Sequence, residues 1–218
     1  MSDSDSFIDE VSEEVRRDRL FGLMRRYGWI AILAVVVLVA GAGWREYSAA
    51  QDRAQAQAFG DAILAALELE APEARADALR EITPPRPESG VLLDMLIAAE
   101  EANAGQAEAA ADRLQAAATT AEAPQIYRDI AAFKALVQGT DSLPVEERRI
   151  GFEALATAGN PLRLLAEEQL ALIAVETGDT EAALTQLQAI LADSEVTAGL
   201  RRRASQLIVA LGGSLDAA

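Results

Sequence analysis

Tyr27 to Trp44 reads YGWIAILAVVVLVAGAGW, eighteen consecutive residues without a charge. That length lies near the lower end of the roughly 17 to 25 residues with which a helix crosses a bilayer. Both ends carry the marks of a membrane interface. Trp29 and Trp44, with Tyr27 and Tyr47 outside them, stand where amphipathic rings prefer the headgroup level, and Arg25, Arg26 and Arg45 can reach outward from the apolar zone. The segment 27–47 is read as one transmembrane helix.

Upstream of it lie Arg16, Arg17, Arg19, Arg25 and Arg26, and just downstream only Arg45 and Arg53. The arginine-rich side stays in the cytoplasm, and the carboxylates of Asp9, Glu10, Glu13, Glu14 and Asp18 weigh little in that rule. The N-terminus is expected in the cytoplasm and everything after the span outside. A cleaved signal peptide is the competing reading, since Ala40-Gly41-Ala42 offers an A-x-A-like site after an apolar run. The long, patterned segment of mixed charge before that run favours a retained anchor, because signal peptides usually begin with a short positive stretch.

Within that leading segment, residues 1–26, Phe7, Val11 and Val15 recur at i, i+4 and i+8, with Ser6 placed as N-cap and Asp9 as its acidic N3 partner. A short amphipathic helix is predicted over 6–24. It either docks on a cytoplasmic partner or the inner leaflet, or stays solvated and sets topology.

The remaining segment, 48–218, has room for one domain of ordinary size. Alanine, leucine and glutamate dominate and aromatics are 5% of the chain, so helix is expected almost throughout. There is no cysteine and no histidine, which removes disulfides, thiol nucleophiles, the usual zinc sites and every Ser-His or Cys-His mechanism. Carboxylates remain plentiful, but pairs such as Glu146 and Glu147, or Glu167 and Glu168, are adjacent on helices and point apart. No catalytic, cofactor-binding or metal-binding residue is assigned, and the chain is expected not to be an enzyme. A formal net charge of −16 argues against a nucleic-acid partner.

From Glu46 a helix is predicted to Leu69, breaking at Ala71-Pro72, and a shorter one ends before Thr83-Pro84-Pro85-Arg86-Pro87. Beyond these, Gly90, Gly105, Pro124, Gly139, Pro144, Gly159-Asn160-Pro161, Gly178 and Gly212-Gly213 separate segments of helix length. The pattern is helical hairpins in series. In LAEEQLALIAVETGDTEAALTQLQAILADSEV, Leu165 to Val196, the residues Ala171, Gly178 and Ala183 are followed by Leu187 and Ile190. Upstream, Ala98, Gly105, Ala110, Leu114 and Ala117 fall in the same step. Both segments resemble a tetratricopeptide repeat, in which a small residue of the first helix packs on the second, a glycine closes the turn and alanines allow close approach.

Gly105 and Gly178 are 73 residues apart, about two periods of such a repeat plus a short insertion, so a further hairpin is expected between them. Tyr127 to Gln138 and Pro144 to Thr157 fill that place as a degenerate repeat, with Gly139 near its turn. Leu200, Ala204, Leu207, Ile208 and Leu211 share one face of a final, capping helix that Gly212-Gly213 stops. Its run Arg201, Arg202, Arg203 reads as a solvated face rather than a binding site. The expected fold is all-α: N-terminal amphipathic helix, one transmembrane helix, then a hairpin solenoid of the tetratricopeptide type.

The anchor, the repeats and the lead DEVSEEVRRDRLFGLMRRYGWIAI together resemble the membrane-anchored tetratricopeptide-like family of the ancillary Sec translocon subunit, in its alphaproteobacterial form. The resemblance implies a protein-binding scaffold that associates with the Sec translocation channel and with periplasmic chaperones or clients. An envelope scaffold for cell division or complex assembly would use the same architecture, and so stays open. A homo-oligomer through the span also stays open, with Gly41 and Gly43 as its close-approach sites.

Overall fold

A computed structural model describes residues 3–214, with side chains described from Arg25 onward except at Ala31. Among the described residues the chain is all-helical, with nine α-helices, one 3-10 turn and no strand. It divides into two units, Met1–Gln57 and Ala58–Ala218.

The first unit is formed by α1, which runs Asp3–Leu67. Two separate helices were expected up to the end of the span, and one is found. No proline precedes Pro72, and lone glycines such as Gly22 and Gly28 weaken a helix by about 1 kcal/mol each without ending it. Ser6 therefore lies inside the helix rather than at its N-cap. The side chains of Phe7, Asp9, Val11 and Val15 lie outside the described ones.

The second unit takes in the end of α1 and eight further helices: α2 (Pro72–Arg80), α3 (Pro87–Asn103), α4 (Ala107–Ala118), α5 (Gln125–Gln138), α6 (Val145–Leu155), α7 (Arg163–Glu176), α8 (Thr180–Ala192) and α9 (Ala198–Ala210). Pro72 and Pro87 sit in the first turns of α2 and α3, where a missing N–H costs nothing. From α2 onward each helix packs on the next in sequence, and α3 also touches α5.

No single core serves this unit. Phe59, Ile63 and Ala66 from α1, Leu79 from α2, and Leu93 and Ile97 from α3 form a first cluster. Val91, Ala98, Ala110, Leu114, Ala117, Ala131 and Ala135 join α3, α4 and α5. Phe133, Phe152, Leu155, Ala166 and Ile173 join α5, α6 and α7. Leu164, Ala171, Leu187, Ile190, Leu200 and Ile208 join α7, α8 and α9. Thus α3, α5 and α7 each serve two neighbouring clusters.

The two five-residue sets that share one spacing have one structural role. Ala98, Ala110, Leu114 and Ala117, like Ala171, Ala183, Leu187 and Ile190, are fully buried. Gly105 and Gly178 have φ of 78° and 83°. At each, the glycine N–H bonds the carbonyl three residues back and the next N–H reaches five back: Gly105 to Ala102 and Gln106 to Glu101, Gly178 to Val175 and Asp179 to Ala174. This is the Schellman closure, which needs a left-handed residue.

The middle hairpin, α5–α6, closes differently. A 3-10 turn at Gly139–Asp141 lengthens the connection, and Gly139 has an ordinary φ of −76°. It is needed for space instead, because a Cβ there would run into the Leu143 side chain. At the far end, Leu200, Ala204 and Ile208 are buried, Leu207 and Leu211 are partly so, and Arg202, Gln206 and Val209 face solvent. The outward side of α9 is thus mainly polar.

Candidate functional site

The first unit presents an apolar surface. Ile30, Ile32, Leu33 and Val35 through Val39 are all exposed, Leu38 by 72%. Five consecutive positions at 100° each reach all the way round a helix. Leaving these eight side chains in water rather than an apolar medium forgoes on the order of 10–20 kcal/mol. Among the described residues α1 alone is long and apolar enough to cross a membrane, with a mean hydropathy of 2.0 over an 18-residue window, none of it buried. At one end the Arg26 guanidinium lies 5.9 Å from the Tyr27 ring centroid, and at the other Trp44 and Tyr47 share a face with rings 6.4 Å apart.

The second unit holds 26 of the 35 acidic residues and 12 of the 19 basic ones. Its arginines fasten neighbouring helices together. Glu101 on α3 is buried and accepts hydrogen bonds from Arg80 Nη2 on α2 (2.8 Å) and from Arg113 Nε and Nη2 on α4 (3.0 and 2.9 Å). Burial pushes the Glu101 carboxyl up, but the bonds from Arg113 and then Arg80 outweigh it and hold the group below the usual carboxylate range. Arg75 on α2 bonds Glu100 at 2.7 Å and the carbonyls of Leu69 and Glu70, so the turn after α1 is tied to α3.

The last hairpin has its own set. Arg203 on α9 is paired with buried Glu168 on α7, which holds the Arg203 guanidinium above its ordinary range. Buried Arg148 on α6 donates Nη2 to both oxygens of Glu176 at 2.6 and 2.7 Å, while its Nε has no partner. Arg201 donates to the Leu191 carbonyl at 3.1 Å. Arg201, Arg202 and Arg203 are all exposed, as a solvated face requires, and two of the three also fix α9 in place. The carboxylates of Glu167 and Glu168 diverge, toward Arg163 and Arg203, and Glu146 binds Arg149. No periodicity reveals the inter-helix pairs, since Glu101–Arg113 and Glu168–Arg203 stand 12 and 35 residues apart. Among the described residues no group of three or more Asp or Glu could hold a metal ion.

One cleft, of about 480 Å³, opens between the α6–α7 and α8–α9 connections. Leu164, Leu165 and Leu200 supply apolar lining, with Asn160, Pro161, Glu195 and Thr197 around it. Asn160 is fixed by donating to Asp129 at 3.1 Å and accepting from the Leu162 N–H at 2.8 Å. Arg163 is surrounded by Asp193 at 2.8 Å, Glu195 at 2.9 Å and Glu167 at 3.1 Å. Glu195, then Asp193 and Glu167, hold its guanidinium well above the ordinary arginine range. Comparison with protein-family models, curated proteins and solved structures finds no match to this chain.

Proposed function

We propose that this chain is a single-pass protein of a bacterial inner membrane, N-terminus inside, whose second unit is a periplasmic solenoid of tetratricopeptide-like hairpins that binds other proteins and catalyses no reaction. The observation that carries the reading is the run Ile30 to Val39, apolar in sequence throughout, whose described side chains are all exposed among the described residues. The handing of α3, α5 and α7 from one cluster to the next, and the Ala-Gly-Ala places common to two hairpins, support the repeat assignment. The family resemblance extends the proposal to partners: the Sec translocation channel and periplasmic chaperones or translocated clients.

Because the chain has no cysteine, single introduced thiols report topology cleanly. Ser142→Cys should react with a membrane-impermeant maleimide on intact spheroplasts, and Ser4→Cys only after lysis, with the full-length mass retained. The opposite labelling pattern overturns the orientation, and a chain shortened after Ala42 overturns the anchor.

A further inference from the structure

Around the cleft between the α6–α7 and α8–α9 connections, one guanidinium faces three carboxylates. Arg163 engages Glu167, Asp193 and Glu195, so the cluster keeps two surplus negative charges. Glu195 is the outermost, its side chain 75% exposed, while Arg163 is only 20% exposed and turns both Nη1 and Nη2 to carboxylates. Thr197 is also committed, its hydroxyl accepting from the Leu200 N–H. The lining inward of this rim is apolar: Leu200 and Leu164 are buried, and Leu165 is half-buried on the cleft wall. A volume of about 480 Å³ is within the range of pockets that take a side chain or small ligand, and larger than one leucine fills. The walls are fixed by the Asn160 bonds and by Arg163 itself, so the cleft is built before anything enters it.

We infer that this cleft receives an apolar side chain flanked by arginine or lysine from an extended segment of a partner protein, the aliphatic group against Leu165 and the cation against Glu195. The inference rests on the protein-binding reading and deepens it by giving the partner's chemistry. An acidic segment would meet repulsion from the same rim, which makes charge the discriminating feature.

The test uses the full chain in nanodiscs of zwitterionic lipid and a blocked pentapeptide, Ser-Arg-X-Arg-Ser, where X is leucine carrying a diazirine. On irradiation, adducts mapped by mass spectrometry should concentrate on 159–165 and 195–200. They should fall about five-fold or more with Glu195→Gln, with Glu195→Lys, and with a peptide bearing glutamate in place of arginine. The glutamate peptide should regain adducts on Glu195→Lys, a charge reversal at an exposed position that leaves the buried leucines untouched. Adducts elsewhere on the domain, adducts indifferent to the charge swaps, or none at all would overturn the assignment of this cleft. Capture of partners by the full chain in membranes is a separate readout, and its failure alone would count against the protein-binding reading.

Discussion

Arg203 on α9 grips Glu168 on α7 as a two-pronged fork, Nε to Oε1 at 2.7 Å and Nη2 to Oε2 at 2.6 Å. The carboxylate side chain is 6% exposed and the arginine 51%. Removing the arginine leaves a charge nearly buried without a partner, whereas Arg202 lies on the exposed side of α9. Arg203→Ala should destabilise the domain by about 1–3 kcal/mol, the exposed end of the pair softening the usual cost of breaking a buried one. Arg202→Ala should stay within about 0.5 kcal/mol. Urea unfolding followed by circular dichroism checks both, and equal small effects would show that the fork does not secure the terminal helix.

Glu101 gives a pH signature. Its folded pKa lies below the ordinary 4.5, so its contribution is complete above that value and is lost as pH falls through the depressed one. Glu101→Gln leaves Arg80 and Arg113 facing a neutral group and should cost about 2–4 kcal/mol at pH 7. The gap in Tm between variant and parent should narrow as pH falls from 4.5, where the unfolded carboxylate protonates, to the depressed pKa, below which the folded one is neutral too. A gap independent of pH would mean that the charge of Glu101 does not join α2, α3 and α4.

The two kinds of turn glycine should respond differently to substitution. At Gly178 nothing lies within 4 Å of an added Cβ, so the penalty is one of backbone conformation alone. Gly178→Val should cost about 1–3 kcal/mol, and no neighbouring change should relieve it. Gly139→Ala meets the Leu143 side chain, so the added change Leu143→Ala should recover much of the loss. Thermal melts of these variants decide the matter. Recovery at Gly178 by trimming its neighbours, or none at Gly139, would reverse the assignments.

Because Phe59, Ile63 and Ala66 of α1 pack with Leu79, Leu93 and Ile97, the last turns of α1 belong to the first cluster of the second unit. A chain beginning at Ala58 should remain folded and soluble. One beginning at Pro72 exposes that cluster and should bind a hydrophobic dye and melt at lower temperature, by roughly 5 °C or more for a loss of a few kcal/mol. Identical melts for the two would show that α1 contributes nothing to this unit.

What the sequence made legible follows from periodicity and punctuation. Ala98, Gly105 and Ala110 announce a hairpin because burial and a left-handed turn each demand a residue type at a fixed spacing, and Ala171, Gly178 and Ala183 repeat it. Pro72 and Pro87 stand in the first turns of their helices for another reason, because a missing N–H costs nothing there. The α5–α6 hairpin departed from the pattern because its turn lengthens by a 3-10 segment, which changes what Gly139 must supply. Arg203 is one of three exposed arginines, and its partner was not legible because Glu168 lies 35 residues away and only the packing of α9 beside α7 brings the two together. The cleft lined by Leu165 and Glu195 went unforeseen on the same grounds, being assembled from two connections that no short motif links.

The measurement that bears most directly on the proposed function is site-specific photocrosslinking of the full-length protein in living cells, with one photoreactive residue at Val36 in the apolar run and another at exposed Leu92 on α3. The account predicts that the Val36 probe captures the core of the translocation channel, and that the Leu92 probe captures periplasmic chaperones or clients in transit. Recovery of division or envelope-assembly proteins alone, or of no protein with either probe, would contradict it.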